Sequence, residues 1–285
     1  DRNWQGCPVI TITDGPNGKR LWAGWFTGGN DELATGNFAV LLYSDDNGET
    51  WVDPAVAIIH PDTSAQVTKP QVWALEDGSL WVSWTQHTGT GGFDGKMGTW
   101  AAVCENPDAE NPEDFIWSTP TRLFDGRGNG KITVLESGEW LTTAFDCMER
   151  DYSKVYSSVD GGQTWTFKGK AEVTGSTYNN AILIERQDDN GGTYLWMLMR
   201  QLNGPMKESF SYDGGATWTN GKVSHIDHPN SAIYMGWTST GKLLMINHKD
   251  FSGRNNLTAF LSEDGGQTWK YTLLLDERSG VSYPD

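Results

Sequence analysis

No stretch of this sequence reaches the roughly 18 consecutive apolar residues that a membrane-crossing helix needs, so a helical membrane protein is excluded. Cysteine is scarce. Cys7, Cys104 and Cys147 are odd in number, far apart and without C-x-x-C spacing, which argues against a disulfide framework and against a zinc site. Positive charge is in deficit, with 21 Lys and Arg against 37 Asp and Glu and a net charge of -16. A field of that sign repels polyphosphate and anionic lipid, so neither nucleic acid nor a membrane surface is an expected partner. It also repels an anionic small substrate, which would need a local cluster of arginines to be held, and this makes individual arginines informative. The Gly-rich loop QHTGTGGFDGKMG lacks both phosphate-binding spacings, G-x-G-x-x-G and G-K-[ST]. The sequence opens at Asp1 with neither Met nor an apolar leader, and the expectation is that a signal was removed or a longer chain trimmed.

What the sequence has in quantity is glycine, 34 residues, and tryptophan, 15, arranged in a repeat. The string S-x-D-x-G-x-T-W occurs at 44–51, 158–165, 211–218 and 262–269. The Trp-to-Trp steps are 114, 53 and 51 residues, so one copy between Trp51 and Trp165 has degenerated, with Trp117 as its natural remnant. Each copy reads as a tight hairpin turn. The Asp accepts backbone N–H groups, Gly takes φ > 0, Ser and Thr add local hydrogen bonds, and Trp starts the next strand as an apolar plug. Strand-like runs precede the copies at 38–43, 154–157, 208–210 and 257–261, and hairpin pairs begin at Val72, Ile132 and Ile233. About 50 residues per four-stranded antiparallel unit, repeated, is the arithmetic of a β-propeller. Units are expected to open near Cys7, Pro70, Lys131, Asn180 and Ser231, with a sixth just begun at 281–284. No linker interrupts the array, so residues 1–285 are expected to form a single domain.

These repeats resemble the Asp boxes of the sialidase (neuraminidase) superfamily. The resemblance runs through WQGCP, YNNAILIE, WMLMR, HPNSA, GRNNLTAFLSEDGGQTW and DERSGVSYPD, essentially the whole chain. It implies an all-β, six-bladed β-propeller with its last blade incomplete here. It also implies an exo-acting glycoside hydrolase, secreted or periplasmic in a bacterium, that takes terminal sialic acid or a related acidic sugar from a glycan; no cofactor is expected, and no ligand-spaced cluster in the sequence predicts a metal. In that superfamily the Asp boxes are structural, which assigns Asp46, Asp160, Asp213 and Asp264 to the fold and Trp51, Trp165, Trp218 and Trp269 to the core.

Tyr283, in GVSYPD, matches the nucleophilic tyrosine of the resembled family. A neutral phenol avoids the repulsion that a carboxylate nucleophile would meet at an anomeric carbon bearing a carboxylate. Arg200, closing LWMLMR, and Arg254, 29 residues before Tyr283, resemble two members of the arginine triad that grips the substrate carboxylate. The third is missing, because the R-I-P stretch reads Gly6-Cys7-Pro8. The glutamate that assists the tyrosine falls at Asn180, whose amide is no base. For the acid, the loop GGNDELATGN offers Asp31 and Glu32, with Glu32 preferred, provided a partly dry mouth holds the proton. Asp146, ending LTTAFD, and His248, ending LLMINH, take equivalent places on their units and could replace the base or bind sugar hydroxyls.

Two other functions fit the same inventory: a glycosidase or lyase acting on a deoxy or uronic sugar, and a non-catalytic carbohydrate-binding propeller. An enzyme should hold Tyr283 on a charged group and facing Arg200 and Arg254. A binding module should instead expose aromatics, such as Trp25 or Trp237, without convergent charges. A glycan is the partner expected in every case, and nothing in the sequence sets an oligomeric state.

Overall fold

The computed structural model describes residues 2–62, 64–88, 96–175 and 180–285. They divide into two compact units, Asp1–Lys131 and Ile132–Asp285. The first unit holds two four-stranded sheets, each in consecutive strand order. One is made of β1 (Gln5–Gly15), β2 (Gly18–Thr27), β3 (Phe38–Ser44) and β4 (Val52–Ile58). The other is made of β5 (Ala65–Ala74), β6 (Leu80–Thr88), β7 (Gly98–Cys104) and β8 (Thr121–Asp125), and the short β9 (Arg127–Gly128) follows.

The second unit has three sheets of the same order: β10 (Thr133–Val134), β11 (Trp140–Phe145), β12 (Tyr152–Ser158) and β13 (Thr166–Glu172); β14 (Ala181–Gln187), β15 (Thr193–Met199), β16 (Lys207–Ser211) and β17 (Lys222–Val223); β18 (Tyr234–Trp237), β19 (Leu243–His248), β20 (Leu257–Ser262) and β21 (Tyr271–Asp276). Every neighbouring pair within these sheets is antiparallel. The described residues thus form five sheets, each with a consecutive path of four strands, and the sixth blade expected to begin at 281–284 is not confirmed. Residues 281–285 carry no strand, being far too few to build a sheet.

The reason these segments become strands is legible in their patterning. In β2, Arg20, Trp22, Gly24 and Phe26 point inward while Leu21, Ala23 and Trp25 are only half-buried, which is the period of two a pleated strand imposes. In β15 the alternation vanishes. Leu195, Met197 and Met199 join one core cluster of the second unit, and Trp196 and Leu198 join the other, so both faces of the strand are covered.

The four Asp boxes fold alike. In each, the Ser hydroxyl donates to the Asp carboxylate, the N–H of the Gly four residues after the Ser donates to the Ser oxygen, and the Thr backbone and hydroxyl both donate to the Asp. These bonds, the Thr hydroxyl's first, hold the carboxylates of Asp46, Asp160 and Asp213 down to about 2. The tryptophans are core plugs only in part: Trp218 and Trp269 pack against the core clusters of the second unit. Trp51 is exposed and the other three are half-buried. Trp51, Trp165 and Trp218 each donate Nε1–H to a Gly carbonyl three residues back, at 2.9–3.1 Å, so they cap their own turn.

Where the fifth box has degenerated, a longer excursion between β7 and β8 carries Trp117, which bridges to Cys104 and packs on the core. Fully buried Arg20 pins it, giving both fork nitrogens to Asp45 at 2.7 Å and Nη1 to the carbonyls of Pro107 and Ala109.

Candidate active site

A left-handed backbone on a residue other than glycine recurs where the repeats begin: Cys7 (φ 55) within β1 and Lys69 (φ 47) within β5 of the first unit, Asn230 (φ 51) ahead of β18 and Tyr283 (φ 62) in the strandless segment after β21 of the second. Cys7, Lys69 and Tyr283 each precede a proline, and Cys7 and Lys69 sit in register breaks of their sheets. Such a conformation costs of order 1–3 kcal/mol per residue, and its recurrence at one place in the repeat points to a functional rim.

In the second unit that rim gathers the predicted residues. Arg200 directly follows β15 and is buried, its backbone N–H donating to the Asn180 carbonyl at 3.2 Å just beyond the β14–β15 ladder. Its Nη1 donates to the Tyr283 hydroxyl at 2.9 Å. Arg254 is close as well, and the guanidinium carbons of Arg200 and Arg254 lie 5.8 and 5.2 Å from the Tyr283 ring centroid. Tyr283, Arg200, Arg254 and Asn180 are therefore brought together.

Two residues that sequence reasoning missed organise this cluster. Asn230 accepts Arg200 Nε–H on its side-chain oxygen at 2.7 Å and Arg254 Nη2–H on its backbone carbonyl at 2.9 Å, so one residue holds both guanidiniums. A signal existed, since NSAI around Asn230 repeats NNAI around Asn180. His228 is buried, and its Nε2 accepts the Gln201 N–H at 3.3 Å. Burial and the adjacent Arg200 charge push it down to about 4, so it is neutral at ordinary pH.

His248 is also buried, and burial lowers its pKa with a further push from Arg254. Its Nδ1 sits 2.7 Å from the Asn255 carbonyl and must carry the proton there, which leaves a bare lone pair on Nε2, an atom with no partner among the described residues.

Asp146 is differently engaged. One oxygen accepts the Met148 N–H and the other pairs with Lys154 at 2.6 Å. Burial alone would lower the Lys154 ammonium, but Asp146 and Glu149 together raise it. Asp31 and Glu32 lie in the first unit and both are exposed; Asp31 caps its own turn, accepting the Leu33 N–H at 2.7 Å. The described residues of that unit build no dry environment around either. His87 is buried at the end of β6, and most of the Gly-rich loop after it lies outside the described residues. Among the described residues no His, Cys, Asp and Glu group is arranged to hold a metal, and none of their helices is long and apolar enough to cross a membrane.

Comparison with known proteins places this arrangement. A family model described as a BNR repeat-like domain matches residues 19–285. A curated sialidase of Bacteroides fragilis (strain YCH46) is 29% identical over 208 residues, 67% of this chain and 35% of that protein, so the chain spans about a third of that relative's length. The NanB sialidase of Streptococcus pneumoniae superposes with a TM-score of 0.70 at 15% identity, over 99% of this chain and 63% of that one. A Trypanosoma rangeli sialidase mutant displaying trans-sialidase activity gives 0.68 at 18%, over 91% and 46%. The intramolecular trans-sialidase of Ruminococcus gnavus gives 0.67 at 15%, over 99% and 87%. At these identities the likeness carries the fold, an all-β propeller with five blades in this chain. Matched along most of its length by the repeat model, the chain belongs to the BNR repeat-like domain family, within the sialidase-like superfamily.

Proposed function

We propose that this chain carries the core of a sialidase-like exo-glycoside hydrolase acting on terminal sialic acid or a related acidic sugar. The observation that supports it most is the Tyr283 hydroxyl held 2.9 Å from Arg200 with Arg254 at its flank. In this reading the Tyr283 oxygen attacks the anomeric carbon, and the negative charge that builds on it is met by the Arg200 N–H. Arg254 and the remaining Arg200 donors take the sugar carboxylate in a clamp of two arginines instead of three.

Of the two stand-ins for the missing glutamate, Asp146 is tied to Lys154, whereas His248 keeps a bare, buried nitrogen. We assign the acceptance of the tyrosine proton to His248 Nε2. Protonation of the leaving oxygen is assigned to Glu32, with Asp31 as the other candidate. Secretion and a role in glycan breakdown belong to the same proposal.

A fluorogenic α-sialoside tests it. Turnover that falls on the order of a hundredfold or more in Tyr283→Phe and in Arg200→Ala supports the reading. Loss in Glu32→Gln but not Asp31→Asn assigns the acid, and the reverse pattern exchanges them. Folded wild-type protein that releases nothing refutes the sialidase assignment, and uronic or deoxy-sugar glycosides then become the substrates to assay. Unsaturated uronic product would identify a lyase using the same phenol and arginines.

A further inference from the structure

At the far end of the second unit's strands from Tyr283 lies a separate concavity of 690 Å³. β19 measures the distance. His248 closes the strand near the Arg254 cluster, whereas Leu243, paired with Trp237, opens it at the concavity, about 17 Å away at the rise of an extended chain.

Arg186 lines this cavity and is only 9% exposed. Its guanidinium lies over the rings of Trp196 and Tyr194, 4.8 and 5.4 Å from their centroids. It forms no hydrogen bond or ion pair among the described residues, and its buried Nε has no partner. A buried guanidinium with idle donors is expensive unless a ligand supplies acceptors. The nearby acids do not fill that need. Asp264 is spent on Ser262 and Thr268, and Glu185 accepts the Glu136 N–H at 2.7 Å.

The rest of the lining narrows the ligand. Four acidic residues, Glu136, Glu185, Asp189 and Asp264, line the cavity beside the single arginine, a balance that repels an anion such as sialic acid. Trp237 is 46% exposed on the rim, and its ring is fixed by Nε1–H donating to the Glu185 carbonyl at 2.9 Å. Gln187 adds an exposed amide. A ligand that offers acceptor oxygens to Arg186, hydroxyl donors to the carboxylates and an apolar face to the indole, without negative charge, is a neutral pyranose.

We propose that this groove is a second carbohydrate site, for a neutral sugar residue, independent of the Tyr283 cluster. Its test reads binding rather than turnover, so it stands or falls separately from the hydrolase reading. The probes are immobilised neutral oligosaccharides ending in galactose, glucose or N-acetylglucosamine, with their sialylated counterparts alongside, and the full chain carries a fluorescent label. At least one neutral oligosaccharide should retain the protein. Trp237→Ala and Gln187→Ala, at the exposed rim, should weaken that retention about tenfold or more, and Arg186→Met likewise. Tyr283→Phe should leave it unchanged. If Arg186→Met fails to fold by thermal unfolding, the two rim variants decide. Retention of no neutral oligosaccharide, retention that survives Trp237→Ala, or retention lost in Tyr283→Phe overturns the proposal.

Discussion

Two guanidiniums beside one phenol repel each other, and Asn230 is the residue that holds both, with its side-chain oxygen on Arg200 and its backbone carbonyl on Arg254. Hydrogen bonds to charged groups are worth about 1.5–3 kcal/mol each, so Asn230→Ala should cost on the order of 10- to 100-fold in kcat/KM for an acidic glycoside. Asn230→Gly separates the causes, because it relieves the left-handed backbone while still removing the acceptor; activity restored by glycine would show that strain rather than the amide matters. His228 gives a pH signature. Its folded value near 4 against 6.5 means the unfolded chain binds a proton over that interval while the native state does not. The stability this residue supports is present above pH 6.5 and drains away as pH falls toward 4, by up to about 3 kcal/mol. Urea unfolding of wild type and His228→Gln across that interval should show a shallower slope in the variant, and parallel slopes would contradict it. Tyr283, Arg200, Arg254 and Asn180 were legible because family motifs fall on them. His228 and Asn230 were not, since their roles come from neighbours in space, although the NSAI and NNAI repeat hinted at Asn230.

At the scale of elements, the Asp boxes are the most local feature of the chain. Every bond that sets one lies within five residues, which is why four copies fold alike and why their place was readable from the sequence. What the motif cannot encode is the depth of its tryptophan, which depends on the neighbouring sheet. The box glycines divide the same way. Gly266 has φ +88, and a Cβ there would stand 2.9 Å from Trp196 Cζ3 and 3.1 Å from Leu243 Cδ2, so it meets strain and a packed core together. Gly241, at φ +74 in the β18–β19 turn, faces open space. Gly266→Ala should therefore cost on the order of 2–4 kcal/mol and Gly241→Ala about 1 kcal/mol. Thermal unfolding checks the order, and equal losses would show that crowding at Gly266 relaxes freely.

On the scale of the whole molecule, β21 is the outer strand of its sheet, and it leaves Leu273, Leu274 and Leu275 65%, 54% and 48% exposed. An apolar edge of this kind is a template for pairing, held off here by little beyond the net charge of -16. The chain should associate with rising concentration and salt, and Leu274→Lys should suppress it; light scattering unchanged by the substitution would place the contact elsewhere. By itself the sequence determined the all-β class, the four-stranded repeat and the Asp-box turns, because each rests on a short-range pattern of period two or on hydrogen bonds within a few residues. Only the tertiary structure decided that five sheets form, that one asparagine holds the two arginines beside Tyr283, and that Arg186 is buried without a counterion among the described residues. Those outcomes depend on groups tens of residues apart in the chain meeting in space, and no local pattern specifies such a meeting.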